Sequence, residues 1–159
     1  MLKKTNFYIN GEWKSPSKKN DFEVINPSNE ETFAIISLGS KEDTDDAVKA
    51  AKEAFVIWKE TSKEERLILL EKLLKIYKKK FSEMAEAMSM EMGSPIDFAN
   101  SVHTASGQSH IEDFILRLKN FNFEKHFDSK SNNHISYEPI GVCGLITPWN
   151  WPINQVALK

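Results

Sequence analysis

The most chemically distinctive stretch of this chain is Leu145-Ile-Thr-Pro-Trp-Asn-Trp-Pro-Ile-Asn154. Two prolines, Pro148 and Pro152, frame a short turn that displays one amide, Asn150. An amide donates hydrogen bonds without titrating. Spacing alone leaves two uses open for it. It could face a developing negative charge as a preorganised donor. It could equally cap the helix that Pro152 is well placed to start. The run Val142-Cys-Gly-Leu-Ile146 leads into the turn and predicts a strand buried on both faces.

Other chemistry-bearing residues are sparse. Cys143 is the single cysteine, so no internal disulfide can form. A reducing, cytoplasmic setting fits that count. On a buried strand Cys143 reads as a small hydrophobe and not as a nucleophile. The histidines, His103, His110, His126 and His134, show no metal-ligand spacing. There is no G-x-G-x-x-G segment and no phosphate-binding loop.

The elements that must position the turn can be read from local chemistry. Asn10-Gly11 lies between the arms of Phe7–Trp13 and predicts a hairpin, because a type I′ turn needs positive φ at both central residues. Phe22–Asn26 and Thr32–Leu38 read as strands, so a small antiparallel layer is expected first. Ser40 with Asp43, and Ser62 with Glu65, mark two helix starts. The second helix carries an apolar face of Leu70, Leu73, Leu74, Tyr77, Phe81, Met84, Met88 and Met92. Gly93 is placed to end it in a left-handed conformation, and Pro95 to open a third, less regular helix that runs to about Asn120. Phe121–Phe127 and His134–Glu138 predict a second hairpin, with an apolar face that has no obvious partner.

Bulk properties exclude some classes. The chain has 159 residues, 40% hydrophobic and 28% charged, with a net charge of −2. That slightly acidic total argues against nucleic acid as a partner. Lys78-Lys79-Lys80 stands among Glu64, Glu65, Glu71, Glu83 and Glu86 and reads as a mixed, solvated helix face. No apolar stretch is long enough to span a bilayer, and no secretory leader is visible.

Glu138-Pro-Ile-Gly-Val-Cys-Gly-Leu-Ile-Thr-Pro-Trp-Asn-Trp-Pro152 closely resembles the aldehyde dehydrogenase superfamily. Weaker matches run in the same order at Tyr8–Trp13, Ile25–Glu31, Ala47–Trp58 and Glu91–Pro95, so the resemblance covers residues 7 to 159. Trp151 replaces the family's usual Phe and keeps an aromatic. The implied fold is α/β, the N-terminal portion of that family's fold. Residues 1–119 would be the first part of the NAD(P)-binding domain and 120–139 an oligomerisation-type hairpin. Residues 140–159 would be the first Rossmann-like strand and its turn.

The resemblance implies oxidation of an aldehyde to an acid with NAD or NADP, through a thioester on a cysteine. Asn150 matches the family's oxyanion donor. Ile146, Thr147, Pro148 and Trp149 match positions lining the cofactor site. Lys159 matches a lysine sometimes assigned to proton relay, although a lysine at this end of the chain reads more simply as solvated. Gln155 and Leu158 match positions facing the aldehyde tunnel. The family's nucleophilic Cys, general-base Glu, Gly-rich cofactor turn and ribose-binding Lys fall beyond the position of Lys159. These residues alone are therefore expected to be inactive and to need the missing C-terminal part or a homo-oligomer. A rival expectation is a non-catalytic protein that binds full-length relatives through its strand edges. With Val142–Ile146 lacking neighbours, exposed apolar faces are expected to favour aggregation or a molten state.

Overall fold

A computed structural model of the chain describes residues 1–129 and 132–159. Strands β1 (Leu2–Lys4), β4 (Asp21–Asn26) and β5 (Glu31–Ser37) form a sheet in the order β1-β5-β4. The β4–β5 pair is antiparallel, as expected. β1 joins β5 in parallel, so the layer is mixed and not purely antiparallel. Leu-Lys-Lys carries no alternation to announce a strand, and all three residues are exposed. Strands β2 (Phe7–Ile9) and β3 (Glu12–Lys14) make the first hairpin. Asn10 and Gly11 both hold positive φ, 55° and 79°, as the turn requires.

Helix α1 (Lys41–Trp58) starts in a full capping box. The Ser40 hydroxyl accepts from the Asp43 amide at 3.2 Å, and the Asp43 carboxylate accepts from the Ser40 amide at 2.8 Å. The other Asp43 oxygen accepts from the Ser17 amide at 2.8 Å and so fastens the loop after β3 to the helix start. These backbone donors hold the Asp43 carboxyl down at about 2. Helix α2 (Lys63–Lys79) repeats the device with Ser62 and Glu65.

The long second helix expected from its apolar face is two helices. α2 ends at Lys80, whose backbone (φ −99°, ψ 8°) leaves the helical region, and α3 (Phe81–Met92) follows at once. Lysine is a good helix former, so nothing local signals that break. Gly93 ends α3 at φ 70°, as expected. Pro95 stands one position earlier than expected, as the N-cap of a single turn, α4 (Ile96–Phe98). The irregularity anticipated in the third helix is a π segment, Ala99–Thr104, which continues into α5 (Ala105–Asn120).

The core lies where α2, α5 and the last helix, α6 (Pro152–Leu158), meet. Tyr77, Ile111 and Ile115 are buried there, with Leu70, Leu74, Ile153 and Ala157 packed around them. Gly107 permits the approach of α5 to α2, since a Cβ at this position would lie 2.4 Å from the Tyr77 hydroxyl oxygen. Lys78 pairs with Glu112 and Lys119 with Glu71 across the rim of the same junction. These pairs are exposed and add little stability, in keeping with the mixed face read from sequence.

The second hairpin forms from β6 (Glu124–His126) and β7 (His134–Ser136), shorter than the alternation suggested. The polar loop between them includes positions 130 and 131, which lie outside the described residues. Phe121 packs its ring on Phe123 and on Tyr137, with centroids 5.0 and 5.1 Å away.

The strand expected at Val142–Ile146 does not form. The segment has no regular structure and is exposed, with Ile146 at 89%. A strand needs at least one hydrogen-bonding neighbour, and the described residues offer this segment none. For the same reason Cys143 is exposed and not the buried hydrophobe expected.

Candidate functional site

The turn at 147–151 is held from both ends. On its far side Pro152 occupies the first turn of α6, where its fixed φ and missing N–H suit a helix start. α6 then presses Ile153 and Ala157 onto the Tyr77–Ile111–Ile115 cluster. On its near side the Lys159 Nζ donates to the Ile146 carbonyl at 2.7 Å. Lys159 is exposed but is not simply solvated, because the unpaired backbone of residues 142–146 leaves carbonyls free to accept. Residues 146 to 159 thus close into a loop around the turn.

Asn150 lies on the bend before α6 and is exposed. The helix is capped instead at Trp151, without a side-chain hydrogen bond. Of the two uses open to Asn150 from spacing, the cap is not the one adopted here.

Thr147, Pro148 and Trp149 form one wall of a cleft of about 490 Å³, with Glu91 and Met92 of α3 and Val24 of β4 opposite. Desolvation raises the Glu91 carboxyl above its ordinary range. Trp149 is 79% exposed, so the wall is open on one side. Its lining is mainly apolar. It has no Gly-rich turn to receive phosphates.

Two residues given no role by sequence reasoning stand behind the turn. His103, in the π segment, is 4% exposed. Its ring meets Trp151 edge-on at 4.7 Å and Phe98 at 5.0 Å. Its Nδ1 is buried without a hydrogen-bond partner. His110 of α5 accepts at Nε2 from the Asn154 amide at 2.9 Å, while the Gln155 amide donates to the Asn154 oxygen at 3.2 Å. With Asn154 donating, His110 carries its proton on Nδ1. A π segment interrupting a helix is common near functional sites, and this one delivers His103 to the aromatic that follows Asn150. No sequence signal marked either histidine, because Trp151 and Asn154 lie more than 40 residues away from them.

Below the turn, Leu70, Leu73, Tyr77, Ile111, Phe114 and Ile153 line a second, apolar groove of about 360 Å³. Burial pushes the Tyr77 phenol up to about 12. Its hydroxyl donates to the Thr104 carbonyl at 2.8 Å, at the end of the π segment. Among the described residues no group of three or more His, Cys, Asp or Glu side chains could hold a metal.

Comparison with known proteins decides the family. The sequence profile of the aldehyde dehydrogenase family matches residues 13–159. The chain belongs to the aldehyde dehydrogenase family. Its α/β architecture is that of the N-terminal portion of the family's fold. An aldehyde dehydrogenase structure from Bartonella henselae superposes with a TM-score of 0.98 at 54% identity, covering 100% of this chain and 34% of that one. A mutant of aldehyde dehydrogenase C from Pseudomonas syringae, solved with NAD+ and octanal, gives 0.91 at 36% identity, covering 96% and 31%. Among curated relatives, a 3-succinoylsemialdehyde-pyridine dehydrogenase from a Pseudomonas species is 43% identical over 154 residues. The chain spans about a third of the length of these aldehyde dehydrogenases, 32% for the last. No described helix is long and apolar enough to cross a membrane.

Proposed function

We propose that residues 1–159 act as the N-terminal part of an NAD(P)-dependent aldehyde dehydrogenase, with Asn150 as an oxyanion donor. One observation carries this reading. Asn150 is displayed on a turn clamped between α6 and the Lys159–Ile146 hydrogen bond, and its amide is not spent on capping the helix. A thiolate that adds to an aldehyde carbonyl forms a C–S bond and leaves a negative oxygen. A fixed neutral donor stabilises that oxygen without titrating, a contribution of about 3–4 kcal/mol.

Ile146, Thr147, Pro148 and Trp149 would hold the cofactor, through backbone contacts to a ribose and an apolar wall. A bound nicotinamide would supply the hydride acceptor. Lys159 in this arrangement fixes the Ile146 carbonyl, and a proton-relay role would require it to leave that contact. Residues 1–119, 120–139 and 140–159 would serve as the first part of the cofactor domain, the oligomerisation hairpin and the cofactor turn. The nucleophile and the general base are not among these residues, since Cys143 lies before the turn. The 159 residues alone would therefore be inactive and would work with the C-terminal two-thirds, in a homo-oligomer. A cytoplasmic setting would keep the nucleophilic thiol reduced.

The test is complementation. Residues 1–159 are co-expressed with the C-terminal two-thirds of the Bartonella henselae relative, and aldehyde-dependent NADH formation is followed. Recovery is expected, and Asn150→Ala should lower kcat by roughly 10²–10³-fold. A confirmed complex without activity would defeat the enzyme reading. Activity that survives Asn150→Ala would defeat the oxyanion assignment alone.

A second reading has its own support in the exposed apolar residues Phe127, Ile140 and Ile146. On this reading the chain is a non-catalytic protein that binds full-length relatives through its strand edges. Failure to co-purify with such a relative, or to change its oligomeric state, would end it.

A further inference from the structure

The β6–β7 register brings two histidines together that the sequence holds eight residues apart. His126 pairs with His134 across the strands. The Tyr137 amide donates to the Phe123 carbonyl, and the Phe127 amide donates to the Asn133 carbonyl. Those bonds mark 123–137 and 127–133 as hydrogen-bonded pairs. Alternation along an antiparallel ladder then makes 126–134 a non-hydrogen-bonded pair, the kind whose side chains stand closest. The imidazole centroids are 4.3 Å apart, with the ring planes inclined at 44°.

The two faces of the hairpin differ. Phe123, Lys125, Phe127, Asn133, Ile135 and Tyr137 alternate onto one face, while Glu124, His126, His134 and Ser136 alternate onto the other. Both histidines are exposed, so neither is explained as core filling.

We propose that His126 and His134 form a two-imidazole site for a divalent transition ion that prefers nitrogen ligands in tetragonal geometry. The ring separation selects the geometry. Two imidazoles at right angles on one ion, with metal–nitrogen bonds of about 2.0–2.1 Å, place their centroids about 4.5 Å apart, whereas a tetrahedral angle places them about 5 Å apart. The observed 4.3 Å fits the right angle when one nitrogen of each ring turns towards the shared ion. Ni²⁺ and Cu²⁺ favour that arrangement, and Mg²⁺, which prefers oxygen ligands, does not. Since no third His, Cys, Asp or Glu among the described residues completes a cage, water fills the remaining positions. A bound ion would tie β6 to β7 near the open end of a hairpin whose strands are only three residues long. This assignment is independent of the aldehyde dehydrogenase reading.

Calorimetric titration of the full chain with NiCl₂ tests it. One Ni²⁺ per chain with micromolar affinity is expected, and no heat of binding from MgCl₂. His126→Gln and His134→Gln should each weaken Ni²⁺ at least tenfold. Both side chains point away from the packed core, and circular dichroism checks that each variant keeps the helical content of the parent. In proton NMR, substoichiometric Ni²⁺ should broaden the ring signals of His126 and His134 before those of His103 and His110. The site is refuted by wild-type protein that takes up no Ni²⁺ below millimolar concentration. Equal affinity in a His126→Gln/His134→Gln double variant refutes it too.

Discussion

The junction of α2 with α5 and the segment 139–146 are both rich in apolar residues, yet they end in opposite environments. Tyr77, Ile111 and Ile115 fall to 5–7% exposure, whereas Ile140 stands at 93% and Ile146 at 89%. Composition does not separate them. The difference is supply of partners. A helix satisfies its own backbone and needs only one apolar surface to lie on, and α2, α5 and α6 provide that for one another. A strand needs a hydrogen-bonding neighbour before it forms at all, and further layers before its side chains are covered. Burial here is a property of pairs of elements, and a sequence reading of one element predicts it only when the partner is also in view.

That contrast can be broken at the helix junction first, where the largest effect is expected. Gly107→Ala places a methyl group 2.4 Å from the Tyr77 hydroxyl oxygen. Overpacking of this kind costs about 1–3 kcal/mol, and the Tyr77–Thr104 hydrogen bond should go with it. Urea denaturation monitored by circular dichroism reads the loss. An unchanged midpoint would mean that α2 and α5 are not in the contact described.

A smaller and pH-dependent effect is expected where Asp43 joins the loop at Ser17 to the start of α1. Backbone donors depress this carboxyl to about 2. The folded value therefore lies below the unfolded one, which is about 3.9. Its stabilisation is fully present above that unfolded value and is lost as pH falls from about 4 towards 2. Melting temperatures of the parent and of Asp43→Asn should converge over this window. Parallel curves from pH 5 to 2 would contradict the capping geometry.

The smallest effect should come from the exposed segment. Ile146→Ser removes a large apolar side chain yet should change stability by no more than about 0.5 kcal/mol, as for other surface substitutions. On the proposed reading, the same substitution should become costly once the C-terminal two-thirds of a full-length relative is supplied. A large loss in the 159-residue chain alone would show that the segment already has a partner.

Much of the fold was legible because its signals are local. The Asn10–Gly11 turn, the capping boxes at Ser40 and Ser62 and the left-handed Gly93 each depend on residues within four positions of one another. The features that escaped depend on distant partners. β1 is a strand because β5 accepts it, and His103 is held by Trp151. The buried strand predicted at Val142–Ile146 failed in the same way, since its continuous apolar run suits a buried strand but the described residues give it no neighbour. At the candidate site, Asn150 and the Pro-framed turn were visible in the motif. The clamp from Lys159 to the Ile146 carbonyl and the His110–Asn154 bond were not.

The π segment at Ala99–Thr104 carries a consequence for how this region tolerates change in length. Its wider turns accommodate one residue more than an α-helix would over the same rise. Loss of a single codon between Ala99 and Thr104 would let the segment close into an uninterrupted α-helix, with Ile96 and Phe98 on one side and Ile111 and Ile115 on the other keeping their bearings. Elsewhere between Ile96 and Asn120 each residue lost would turn one part of the helix against the other by about 100°. An in-frame deletion of one residue is therefore better tolerated in the π segment than in the regular turns that follow it.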